Sequence, residues 1–250
     1  MIRGYFDESY RDKGIYAIGG YLAKDKTWTS ISRQWKNRCL QDRVQCFHAA
    51  DCESGFGEFK KLSVEQRRDL KTDLIQIVDK HDGIGGFGAA LIIDEFAQAR
   101  DSSERARKVL GPDPYFFCFQ IVLLAVCEDF LRFDPSGTKK TACVFEDQEE
   151  FSGRTKRLFD EFKKMNPNYA PRLTTLTYAP KRQFIPLQVA DNLAYETMKE
   201  IHNREYDPTR SRRISMAKMI PKIQSIKLVD RRVLQLMTET ARVSSDLAAQ

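Results

Sequence analysis

The sequence predicts an α/β fold: a mixed five-stranded sheet flanked by helices on both faces, with a helical C-terminal extension. Three observations predict it. Short apolar or alternating runs at residues 2–9, 14–23, 83–94, 141–145 and 172–178 read as strands. Longer stretches between and after them carry apolar residues at helical spacing. The chain has 250 residues, 42% of them hydrophobic and 30% charged, enough for one large domain or two small ones.

The first strand (IRGYFDES, 2–9) has an acidic end. Alternation sends Ile2, Gly4 and Phe6 to one face, and Arg3, Tyr5 and Asp7 to the other. Aspartate is a poor strand residue. Asp7, Glu8 and Ser9 therefore either begin a turn through 11–14 or carry a carboxylate to a site. The second strand (GIYAIGGYLA, 14–23) follows that tight turn as the other half of an antiparallel hairpin.

A helical insertion at about 24–82 separates the second strand from the third. Trp28, Ile31, Trp35, Cys39 and Leu40 fall at helical spacing. The polar segment 46–59 (CFHAADCESGFGEF) reads as a loop grouping His48, Asp51 and Glu53. It is either a functional loop or an acidic turn with an exposed histidine. Ser63 with Gln66 is a capping box that opens a helix to about Lys80, with Leu70, Leu74, Ile77 and Val78 on its apolar face.

GIGGFG at 83–88 fits G-x-G-x-x-G, but a helix precedes it and a strand follows, the reverse of a dinucleotide fingerprint. It reads as a buried third strand whose glycines admit a close neighbour. Residues 95–111 suggest a charged helix plus a loop. Residues 114–133 form the most hydrophobic helix, with an apolar run too short to span a bilayer.

The fourth strand (TACVF, 141–145) runs into Glu146, Asp147 and Gln148, a second acidic strand end. An amphipathic helix at 153–165, an alternating fifth strand (RLTTLTY, 172–178) and a helix at 186–203 follow, the last with proline in its first turn. Leu187, Ala190, Ala194, Met198 and Ile201 mark the inward face of that helix, and Asp191 lies on it. A carboxylate aimed at the core must be paired, protonated or metal-bound. A hydrogen bond to a nearby loop is the plainer alternative. Residues 1–203 read as one domain, and 204–250 as a basic extension packed on it, with two helical stretches separated near Pro221 and an apolar face at 232–237.

The net charge is +6, and the segment from Lys199 to Arg232, with ten basic and four acidic residues, accounts for all of it. A basic segment on a neutral body suggests nucleic acid, unless it is only a solvated surface. Arg212 and Arg213 are the candidate phosphate contacts within it. Six cysteines without a C-x-x-C and without an apolar leader do not suggest a disulfide framework. Cys39, Cys46, His48 and Cys52 cluster, but at no familiar zinc spacing, so buried thiols are the better reading. A cytoplasmic location away from membranes is expected.

In a ribonuclease H-like arrangement the first and fourth strands are central neighbours. Asp7 and Glu146 or Asp147 would then end side by side, with Asp191 brought across them. Carboxylates so close cannot all stay ionised without compensation. Two Mg²⁺ or Mn²⁺ ions could supply it and clamp the oxygens of a phosphodiester. The chain resembles the DUF3800 family through FDES at 6–9, FHAAD at 47–51, VFEDQ at 144–148 and PLQVADNLAY at 186–195. The resemblance implies a ribonuclease H-like fold and an acidic metal site from Asp7, Asp191 and one of Glu146 and Asp147. Family members often carry Asp-Glu-Gln where this chain has Glu146-Asp147-Gln148. His48 matches a family histidine that either moves a proton or bonds a loop carbonyl. Gln188, Glu8 and Ser9 are candidate substrate contacts, with Gln188 alternatively holding Asp191 in place. The expected activity is Mg²⁺- or Mn²⁺-dependent nuclease action; the alternative is a non-catalytic module binding nucleic acid or protein, as in a mobile-element or phage-defence accessory factor.

Overall fold

The structure, a computed structural model, describes residues 1–10, 14–147 and 152–248. The expected tight turn at 11–14 and the motif residue Gln148 therefore fall at least partly outside the described residues. In chain order the elements are β1 (Ile2–Tyr10), β2 (Ile15–Lys24), α1 (Asp25–Gln41), α2 (Ala49–Ser54), α3 (Val64–Asp79), β3 (Ile84–Ile92), α4 (Ile93–Asp101), α5 (Glu104–Leu110), α6 (Pro114–Phe133), β4 (Thr141–Glu146), α7 (Ser152–Met165), β5 (Leu173–Ala179), α8 (Ile185–Tyr206), α9 (Ile214–Met219), β6 (Ile223–Val229) and α10 (Arg231–Ala248).

The strands form one mixed sheet in the order β5-β4-β1-β2-β3-β6. β2 is antiparallel to β1 and β3, while β4 runs parallel to β1, β5 to β4 and β6 to β3. β1 and β4 are thus neighbours inside the sheet, and the C-terminal ends of β1, β4 and β5 share one edge. Ligands of open α/β sheets collect at such an edge.

Six strands replace the expected five. The sixth lies in the tail that sequence reasoning made wholly helical. Ile223, Ile226, Leu228 and Val229 are spaced three, two and one apart, which fits a helical face as well as a strand. β6 pairs with β3 through a register shift at Gly86/Phe87 and is only half-buried along most of its length. An edge strand of this kind carries no clean alternation. The apolar face expected at 232–237 does dock: Leu234 is fully buried. The expected loop at 46–59 is instead α2 followed by a 3-10 turn at Gly57–Lys61. The capping box at Ser63 forms as expected, with both reciprocal bonds to Gln66.

Two apolar layers sandwich the sheet. One holds Trp28, Trp35, Leu70, Leu74, Leu187 and Leu193 from α1, α3 and α8. The other is dominated by α6, with Phe119, Val122, Leu123 and Phe130 fully buried. Each such side chain contributes roughly 1.5–3 kcal/mol on burial. Phe6 and Phe145 are register partners on β1 and β4, and their rings stack at 5.0 Å on the α6 side. That pair pins the register which sets Asp7 beside Glu146, one residue further on and on the opposite face. No helix among the described residues is long and apolar enough to cross a membrane.

Gly19 faces Asp7 across the β1–β2 ladder. A Cβ there would lie 2.7 Å from both Cα and N of Ala194, so α8 rests its backbone directly on β2. The opposing atoms are backbone and cannot rotate away. Gly19→Val should therefore push α8 off the sheet and cost about 1–3 kcal/mol or more in chemical denaturation. A Gly19→Val protein as stable as wild type would show that this close approach does not set the position of α8.

Candidate functional site

Three elements each bring one carboxylate to the shared edge: β1 brings Asp7, β4 brings Glu146 and the second turn of α8 brings Asp191. All three meet one cation. The ammonium of Lys181, in the loop between β5 and α8, lies 2.8 Å from Asp7 Oδ2, 2.6 Å from Glu146 Oε2 and 3.0 Å from Asp191 Oδ1. Asp7 is 1% and Asp191 4% exposed, so both rely on these contacts rather than on water.

Other partners fix the carboxylates. Asp7 Oδ1 accepts from its neighbour's Glu8 N–H at 2.8 Å. Asp191 Oδ2 accepts from the Ala49 N–H at 2.6 Å, at the start of α2. The loop hydrogen bond weighed for Asp191 therefore exists, and it coexists with the acidic cluster. His48 stands at the rim, its side chain 40% exposed, with Nε2 3.6 Å from Asp191 Oδ1 and Nδ1 3.1 Å from Asp51 Oδ2. Asp51 thus orients the ring, and the other ring nitrogen faces the cluster.

Three carboxylates around one ammonium leave an excess of negative charge. Burial, the largest effect, and the nearby Asp191 and Glu146 push the Asp7 carboxyl well above the usual carboxylate range, against the pull of Lys181. Burial drives the Glu8 carboxyl up to about 7, with Glu146 adding to it. Burial works against the Lys181 ammonium, but Asp191, Asp7 and Glu146 outweigh it and hold its pKa well above the usual lysine value.

The remaining expectations divide. Asp147 is exposed, with its N–H bonded to the Ala179 carbonyl, and alternation after the buried Phe145 points it away from the cluster. Glu146 is therefore the acid of β4 that joins Asp7 and Asp191. Gln188 is buried and does not face the cleft as a substrate contact. Its Oε1 accepts from the Phe47 N–H at 3.0 Å and its Nε2 donates to the Lys181 carbonyl at 3.1 Å, bracing the two loops that carry His48 and Lys181. Glu8 alternates to the α6 side, while Ser9 returns to the side of Asp7, partly exposed.

Arg213 is taken up elsewhere: its guanidinium binds Glu53 and Glu196, with Nε 3.0 Å from Glu196 Oε2. Arg212 pairs with Glu200 at 2.8 Å. The thiols of Cys39, Cys46 and Cys52 are free, and burial pushes them up to about 12, 11 and 11, as suits inert thiols. Sequence reasoning missed Lys181 and Arg182. A basic pair in a loop carries no signal of its own; only the sheet order places it at the acidic edge.

Lys181, Arg182, Glu146, His48 and Asp51 line an open cleft of about 410 Å³, together with Cys46, Glu58 and Phe59. Asp7 and Asp191 lie behind Lys181. Among the described residues, no group of three His, Cys, Asp or Glu side chains is drawn close enough to hold an ion as it stands. The acids are spread around the ammonium instead. The donors are nonetheless all carboxylate oxygens from three separate elements, the chemistry that suits Mg²⁺ or Mn²⁺.

No family model matches this chain, and no curated protein does. Among solved structures it is similar to a chain in the structure of the PCNA:RNase HII complex from Archaeoglobus fulgidus, at 14% identity over 88% of this chain and 87% of that one, with a TM-score of 0.39. A likeness this distant says nothing about activity.

Proposed function

We propose that this chain is a divalent-metal-dependent nuclease of ribonuclease H-like architecture, related to the DUF3800 family, that hydrolyses phosphodiester bonds of nucleic acid. The observation that carries the reading is the convergence of Asp7, Glu146 and Asp191 on a single cation position at the C-terminal ends of parallel strands. Those three residues would hold Mg²⁺ or Mn²⁺. When bound, the metal supplies Lewis-acid stabilisation of phosphoryl charge.

The chain's own groups do the rest. Arg182 offers positive charge to phosphate in the cleft. His48, oriented by Asp51, moves a proton at Nε2 beside the cluster. Gln188 keeps both loops in register. The test is Mg²⁺- or Mn²⁺-dependent cleavage of single-stranded, duplex and hybrid substrates. Cleavage that survives both chelation and Asp191→Asn would refute the assignment. His48→Asn should lower kcat by about a hundredfold, the usual scale of lost acid–base help. An unchanged kcat would make His48 merely structural.

One observation favours a second reading. Lys181 already compensates the three acids, as expected of a module that binds nucleic acid or protein without cleaving it. In that case calorimetry would show no Mg²⁺ or Mn²⁺ uptake.

A further inference from the structure

The ammonium of Lys181 sits within hydrogen-bond distance of three carboxylate oxygens at once. A divalent ion using those same oxygens would have to sit at nearly the same point. Two cations cannot share it, both for want of space and because charges so close repel strongly in a buried site. The two occupants also differ in reach. Carboxylates stand 2.6–3.0 Å from the ammonium, whereas Mg²⁺ draws its oxygens to about 2.0–2.1 Å. The spread-out acids are thus those of a cluster held open by a larger cation. Lysine is suited to yield, since its charge rides on a flexible four-carbon stem. The stem has somewhere to go: Lys181 is 17% exposed and, with Pro180 and Arg182, lines the 410 Å³ cleft.

We propose that Lys181 is the resident counter-cation of this site and is displaced when a divalent ion binds, its ammonium turning into the cleft to meet substrate phosphate. One residue then has two stations. Without metal it offsets the charge of the acids, two of them, Asp7 and Asp191, buried. With metal it becomes a positioning residue beside Arg182. The proposal rests on the divalent site argued above, but not on the hydrolysis assigned to it.

Two measurements test it, neither requiring activity. Calorimetric titration with Mn²⁺ should show Lys181→Gln binding at least tenfold more tightly than wild type, because its competitor is gone. Labelling of wild-type lysines with an amine-reactive acylating reagent, read by mass spectrometry, should show Lys181 modified severalfold faster at saturating Mn²⁺ than in chelator. The exposed Lys60 and Lys80 should stay constant. The labelling arm needs no variant, so a Lys181→Gln protein that does not fold leaves the test intact. Mn²⁺ binding with unchanged Lys181 labelling would overturn the displacement and leave the metal site standing. An affinity gain and labelling rise in a protein that cleaves no nucleic acid would support the displacement and remove the nuclease reading. No Mn²⁺ binding by either protein would overturn both.

Discussion

Asp7→Asn and Asp191→Asn should each lower metal-dependent cleavage by a hundredfold or more, since a carboxylate that holds a catalytic cation is worth several kcal/mol in the transition state. The two should differ in stability. Asp7 is one of three acids sharing a single ammonium in a buried site, with its second oxygen bonded to the adjacent Glu8 N–H. Neutralising it relieves repulsion among Asp7, Glu146 and Asp191. In chelator, Asp7→Asn should therefore melt at or above the wild-type temperature. Asp191→Asn gives up more, because Asp191 also accepts from the Ala49 N–H at 2.6 Å and so anchors α2. It should melt lower. Activity lost together with stability gained is the usual signature of a strained functional carboxylate. Circular dichroism melts beside cleavage rates decide the matter, and an Asp7→Asn protein that loses stability and keeps its activity would reverse the assignment.

The largest stability effect should come from Glu196→Ala. Glu196 is fully buried on α8 and receives Lys71 Nζ at 2.5 Å and Arg213 Nε at 3.0 Å. Lys71 reaches on to Glu53, and Arg213 binds the same carboxylate. The network joins α3, α8 and the segment before α9 to α2, the helix whose first turn follows His48. Removing Glu196 leaves Lys71 and Arg213 to share Glu53 alone across a site where Glu196 was fully buried, and should cost about 3–5 kcal/mol, a large share of a typical stability of about 5–15 kcal/mol.

The pH dependence follows from the same residue. Burial pushes the Glu196 carboxyl up, but Lys71 and Arg213 outweigh it and hold it below the usual value. A carboxyl depressed in the folded state stabilises above its unfolded pKa, about 4.3 for glutamate. That stabilisation is lost as the pH falls through the lower folded value. Wild type should accordingly lose stability on acidification below about pH 4.3, and Glu196→Ala should lose less of it over the same range. Equal acid sensitivity in the two proteins would place the acid-labile group elsewhere.

The acidic centre was legible in the sequence for a physical reason. Aspartate and glutamate at the ends of apolar strands, and aspartate on the inward face of a helix, oppose local propensity and burial, and such conflicts mark sites. Asp191 shows both the strength and the limit of that logic. The inward face was read correctly, yet α8 is buried on all sides from Pro186 to Met198, so position on a face alone did not say what Asp191 meets. The choice between Glu146 and Asp147 needed the register of Phe6 against Phe145. Lys181 was not legible, because a basic loop residue is ordinary until the sheet shows that β5 ends next to β4, on the same edge as β1. The roles given to Arg212 and Arg213 came from net charge, which does not distinguish a phosphate contact from an arginine already paired within the fold. β6 was hidden by apolar spacing that serves a helix equally well.

Whether Asp7, Glu146 and Asp191 make one cation site is decided by a crystal soaked in Mn²⁺. An anomalous peak should appear between the three carboxylates, with the Lys181 ammonium moved out into the cleft. Density that keeps Lys181 bound to all three acids at saturating Mn²⁺, with no peak among them, would contradict it.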